Sequence, residues 1–168
     1  MMAYMLGRCP AWTTISLALL ALMAGGSVPS HAQAAPLESA TLAPERTLLA
    51  ASFASEKLWV WQKRLNLRDW DISVVVSRTG ELKAKTLGHI RWDRGKKTAV
   101  IQVLDPADYH LPWDAMLRDI EFTVVHELIH LEMVPILSDL QRTDANRMEE
   151  EHAVNHMAEA LLKLDRGQ

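Results

Sequence analysis

Between Glu45 and Leu65, the residues Leu48, Leu49, Phe53, Leu58, Trp59, Trp61 and Leu65 recur at helical spacing. Lys57, Lys63 and Arg64 lie among them, so the pattern predicts a first helix. The period then shortens. In "DISVVVS", Ile72, Val74 and Val76 alternate with Ser73 and Ser77, the mark of a half-buried strand. "LGHIRWD" alternates as well, with Ile90 and Trp92 expected inward and His89 and Arg91 outward. A turn at Arg94–Lys97 leads into "TAVIQVL", and the two runs read as a hairpin. Pro106 and Pro112 break the chain. A long helix is then expected from about Trp113 to Val134, stopped by Pro135, and a last helix from about Asp144 to Leu164.

Helix, three strands, helix, helix is an α+β order, with a small, mostly antiparallel sheet of three or more strands. The predicted domain spans 45–168. Residues 35–44 are small and polar with two prolines, and read as a flexible leader.

Residues 1–34 have a different character. Arg8 is the only charge before Glu38, and "ISLALLALMA" is followed by glycines, a proline and the sequence Ala32-Gln33-Ala34. A basic start, a short apolar core and an A-x-A site predict a secretory signal peptide, and hence a periplasmic or secreted protein. The apolar run falls short of the roughly 18 to 20 residues of a spanning helix, so no stable membrane anchor is expected after cleavage. Cys9, the single cysteine, lies in that segment, which leaves the domain without disulfide or thiolate chemistry. A net charge of −3 and the lack of a long basic block argue against a nucleic-acid partner. Oligomeric state is not legible.

The chemistry concentrates in "TVVHELIHLEMVP". His126 and His130 are four apart and share a helical face. Two imidazoles so placed can hold one divalent ion, and Glu127, about 100° round the helix, can reach a water beside that ion. The helix is apolar nearly all round, through Leu117, Ile120, Phe122, Val124, Val125, Leu128, Ile129 and Leu131. Such a helix is buried. Ionisable groups there are costly unless paired or bound to metal.

A catalytic zinc site takes three protein ligands. Met133 and Ile136 stand where a metzincin has glycine and histidine. The alternative is a glutamate of the last helix, "RMEEEHAVNHMAEALLKL". With Met148, Val154, Met157, Leu161 and Leu162 taken as its inward arc, Glu149, His152 and His156 fall outside and both Glu150 and Glu151 fall inside. Helix geometry does not choose between those two. Asn155, four after Glu151, could support a zinc-bound histidine from behind.

"HELIH" followed by "EHAVNHMA" resembles the gluzincin metallopeptidases, in particular their small ImmA/IrrE-type and minigluzincin members. Their second motif, E-x-x-[small]-[N/D]-x-[apolar]-A, is matched in register by Glu151, Val154, Asn155, Met157 and Ala158, with valine for the usual alanine at 154. The resemblance implies a zincin-like fold and a Zn2+ cofactor. His126, His130 and Glu151 would be the zinc ligands, Glu127 the general base and Asn155 the supporting partner. Its substrate would be an extended peptide or protein segment laid along a sheet edge, a role the hairpin suits.

An oxyanion-stabilising residue is not obvious; Tyr109, His110 and His156 are candidates. His152 and His156 form a second four-residue pair that could bind metal, supply the third ligand, or simply belong to a solvated face. Two functions remain: an exported zinc-dependent peptidase, or a non-catalytic zinc-binding scaffold acting as a binding or regulatory protein. A structural site has no use for Glu127, which favours the first.

Overall fold

In the computed structural model, which describes residues 37–82, 86–137, 141 and 143–168 (without the side chains of 37–42), helix α1 runs Leu37–Arg64. The signal-peptide reading of 1–34 lies outside the described residues. The leader expected at 35–44 is helical from Leu37 onward. Pro44 sits inside the helix, where it leaves one ladder hydrogen bond unmade.

The buried stripe of α1 is Ala50, Ala54, Leu58 and Trp61. Leu48, Leu49 and Trp59, which belong to the apolar pattern that predicts the helix, are largely exposed. Small residues at i and i+4 let α1 approach its neighbours closely, and the bulky ones lie to the side. Just past the helix, Asn66 lies in the left-handed region at φ 58°. Leu67 N–H donates to the Gln62 carbonyl at 2.9 Å and Asn66 N–H to that of Lys63 at 3.3 Å. These are the paired bonds of a Schellman motif, and buried Leu67 completes it with an apolar contact.

Strands β1 (Asp71–Ser77), β2 (Gly88–Asp93) and β3 (Thr98–Leu104) form one sheet in the order β1-β3-β2. β2 and β3 are the expected antiparallel hairpin. β1, however, pairs parallel with β3, so the sheet is mixed rather than mostly antiparallel. The chain leaves β1, forms the separate β2–β3 hairpin, and returns through β3 in the direction of β1. Register aligns Ile72 with Ala99, Val74 with Ile101 and Ile90, and Val76 with Val103 and Gly88. That row faces the core. On the other face, buried Gln102 donates to the Ser77 hydroxyl at 2.9 Å and accepts from Arg91 at 3.0 Å.

α2 (Trp113–Leu137) packs against α1, β2, β3 and α3 (Asp144–Asp165). Pro135 does not stop α2, which continues to Leu137 with the proline in its last turn. Thr143 caps α3, its hydroxyl accepting from Asn146 N–H at 3.1 Å. The buried stripe of α3 is Val154, Ala158 and Leu162, while Met148 is 72% exposed and Met157 39%. The three long helices meet at Glu121 on α2. Its carboxylate accepts from Trp61 Nε1 (3.2 Å), Lys57 Nζ (3.1 Å) and Arg166 (3.0 Å).

Gly88 sets how closely the edge strand approaches α2. A Cβ there would lie 2.2 Å from Cγ2 of Thr123 and 3.1 Å from the Gln102 carbonyl oxygen. Gly88→Ala should therefore destabilise the fold by about 1–3 kcal/mol, the usual cost of overpacking. Thr123→Ala in the same chain should recover most of the loss. Chemical denaturation of the two single variants and the double variant tests this, and additive losses would show that the clash is not with Thr123.

Candidate metal centre

The site is built at the seam between α2 and α3. α2 is buried on nearly every side, yet it turns His126 and His130 together toward α3. α3 is held there by Val154, Ala158 and Leu162, which are fully or almost fully buried. Glu151 lies one turn ahead of that stripe, at the height of the two histidines.

Nε2 of His126 and Nε2 of His130 are 3.0 Å apart. Glu151 Oε2 is 3.3 Å from His126 Nε2, and its Oε1 is 3.6 Å from His130 Nε2. Donors held tetrahedrally at about 2.0–2.1 Å from a zinc ion stand about 3.3 Å from one another. The observed separations bracket that value, so the donor set fits zinc in both spacing and chemical type. Among the described residues, His126, His130 and Glu151 are the group with metal-binding geometry.

Glu150 and Glu151, which the sequence left as alternatives, occupy different positions. Glu150 is withdrawn, its side chain 8% exposed, and lies 2.9 Å from Nδ1 of His130. An ionised carboxylate only accepts, so Nδ1 is the donor and the lone pair of His130 is on Nε2, facing His126 and Glu151. The Glu151 side chain, 57% exposed, reaches the open side of the cluster.

Burial first, and then the charge of His130, lower the pKa of His126 below the ordinary imidazole value. Glu151 and the nearby Asn155 side chain oppose the fall. A neutral ring is the form that binds metal. Nδ1 of His126 is buried without a partner at hydrogen-bond geometry. Asn155 is thus beside His126, and Glu127 is next to it on α2, 7% exposed, with Oε1 3.3 Å from where a Gly88 Cβ would stand.

All of these residues line a cleft of about 640 Å³ whose opposite wall is Gly88, His89, Ile90 and Trp92 of β2. Trp92, expected inward, is 39% exposed, because the edge strand has the cleft rather than a helix beside it. The three oxyanion candidates lie elsewhere. The Tyr109 hydroxyl donates to Asp119, His110 is exposed, and His156 pairs with His152 on an exposed face of α3, Nε2 to Nε2 at 3.1 Å. His89, Arg147 and Asn155 are among the donor-bearing side chains of the cleft. Sequence reading missed Arg147 in this respect, although it stands four residues before Glu151 on the same helical face.

Glu151→Gln should cut zinc affinity and lower the zinc-dependent gain in melting temperature, because a weaker ligand replaces a charged one. Glu150→Gln should be milder, about 10- to 100-fold in zinc affinity, the usual effect of an outer partner. Zinc titration of the two variants by calorimetry separates the roles, and the reverse ranking would make Glu150 the ligand.

No family model matches the chain, no curated protein matches it, and no solved structure matches it.

Proposed function

We propose that this protein is a zinc-dependent metallopeptidase of gluzincin type and zincin-like fold, exported through residues 1–34. The observation that carries the reading is the convergence of His126, His130 and Glu151 on one point, with the buried Glu127 carboxylate beside it, on the floor of an open cleft.

His126, His130 and Glu151 would hold the ion, and Glu150 would fix the ring of His130. When bound, zinc supplies Lewis acidity toward water and a scissile carbonyl. Glu127 would take the proton of the attacking water and deliver it to the leaving amine. Its burial keeps that carboxylate from free exchange with solvent. Among the described residues, β2 pairs only with β3. Its other edge borders the cleft and can hydrogen-bond the backbone of an extended peptide. Leu87, Ile90, Trp92 and Phe122 offer apolar contact to its side chains.

Glu127→Gln keeps shape and removes basicity. Zinc content and melting temperature should hold while turnover of a peptide library falls by about 10²- to 10⁴-fold. Equal turnover by the variant would assign the activity to another site. Absence of chelator-sensitive cleavage by zinc-loaded wild type would leave the non-catalytic scaffold in its place. For export, the mass of the protein recovered outside the cytoplasm should correspond to a start at Ala35. An intact amino terminus there would refute cleavage after Ala34.

A further inference from the structure

Asp119 lies seven residues before His126 on α2, so the two share a helical face, about 10 Å apart along the axis. Both line the cleft. Asp119 and Phe122 also line an adjoining depression of about 360 Å³, so the Asp119 carboxyl stands where the two spaces meet.

The carboxyl is half-buried and its Oδ2 accepts from the Tyr109 hydroxyl at 2.8 Å. That donor is neutral, and burial together with the nearby Asp119 charge raises the Tyr109 pKa well above the usual phenol range. Arg118, Lys163 and Arg166 line the depression, but among the described residues none forms an ion pair with Asp119. Arg166 is engaged by Glu121 and Lys163 by Glu159. Asp119 has therefore lost hydration and gained only a neutral hydrogen bond, and its pKa is raised by burial. A cation brought by a ligand would make good that loss.

We propose that Asp119, held in place by Tyr109, selects ligands that carry an organic cation: a lysine or arginine side chain, or a free peptide amino terminus. The cation lies on the side of the metal centre toward the start of α2. At about 3.3 Å per extended residue, the distance along α2 places it within about three residues of the reacting bond. The selection of cleaved bonds rests on the metallopeptidase reading; the binding preference does not.

The test uses zinc-loaded Glu127→Gln protein, so that bound peptides persist. Fluorescence anisotropy is measured with peptides bearing lysine or acetyl-lysine at one position, each with a free or acetylated amino terminus. The lysine arm and the terminus arm distinguish the two sources of charge. One of them should bind about 10- to 100-fold more tightly than its acetylated counterpart. Adding Asp119→Asn, whose amide oxygen still accepts from Tyr109, should abolish that ratio, and Asp119→Lys should turn it toward glutamate-bearing peptides. A ratio that survives Asp119→Asn overturns the proposal, as does equal binding of all peptides. If Asp119→Asn does not fold, Tyr109→Phe must lower the ratio several-fold, and an unchanged ratio overturns the proposal. Asp119-dependent binding without any cleavage by wild type would retain this proposal and remove the peptidase. Cleavage by wild type without cation preference would do the opposite.

Discussion

The structure depends on one constraint: α2 is buried on nearly every side but carries ionisable groups along its length. Apolar burial supplies most of the driving force and is non-directional. It does not specify where a neighbouring helix should lie. The buried polar groups do, because each requires a partner with defined geometry. Glu121 draws Lys57 and Trp61 from α1 and Arg166 from the end of α3. Asp119 draws Tyr109 from the loop before α2. His130 draws Glu150 from the start of α3, and His126 meets Glu151 beside it. Partners arrive from several elements, so satisfying α2 fixes the positions of α1 and α3. Removing one partner from such a set leaves a charge desolvated and unmatched, which is far costlier than losing a surface ion pair.

The same constraint explains why two adjacent glutamates act differently. Consecutive residues on a helix point about 100° apart. A histidine pair opposite them presents two kinds of nitrogen: Nδ1 of His130, turned inward, and the two Nε2 atoms, turned toward the cleft. Glu150 meets the first and Glu151 the second. One carboxylate sets the ring's tautomer and the other joins the donor cluster, with no change in backbone path.

How much of this was legible in the sequence differs by element. The α+β order, the β2–β3 hairpin, the start of α2 and the extent of α3 follow from period and breakers, whereas the end of α2 does not, since Pro135 lies inside its last turn. The parallel pairing of β1 with β3 was not legible, since alternation in β1 fixes which side chains face inward but not strand direction. The core faces of α1 and α3 were caught only in part, for a shared reason. Leu58 and Trp61 of α1 and Val154 and Leu162 of α3 are buried as their spacing suggests, but the large Trp59 and Met148 are exposed and the small Ala50, Ala54 and Ala158 complete the buried stripes. Close helix packing selects small side chains, and hydrophobicity alone hides them. His126, Glu127 and His130 were visible because their spacing has a mechanical meaning on any helix. Helix geometry could not separate Glu150 from Glu151, and only the resemblance pointed to Glu151, because the distinction lies in which nitrogen each one meets. Asp119 went unnoticed, although its seven-residue offset from His126 places it on the same face.

A donor cluster divided between two helices also couples the site to the packing of the fold. α3 meets α2 through a narrow stripe of Val154, Ala158 and Leu162, a modest apolar area for a helix of 22 residues. Two further attachments flank that stripe: Glu150 and Glu151 with the histidines near its start, and Arg166 with Glu121 past its end. An ion shared by His126, His130 and Glu151 would bind only when α3 is docked, so its binding free energy would add to docking. In return, the stripe and the Arg166–Glu121 pair hold Glu151 near the histidines in advance, which lowers the entropic cost of assembling three ligands. The packing of α3 and the affinity of such a centre for an ion would therefore be coupled, and a change that loosens either end of α3 would act on both.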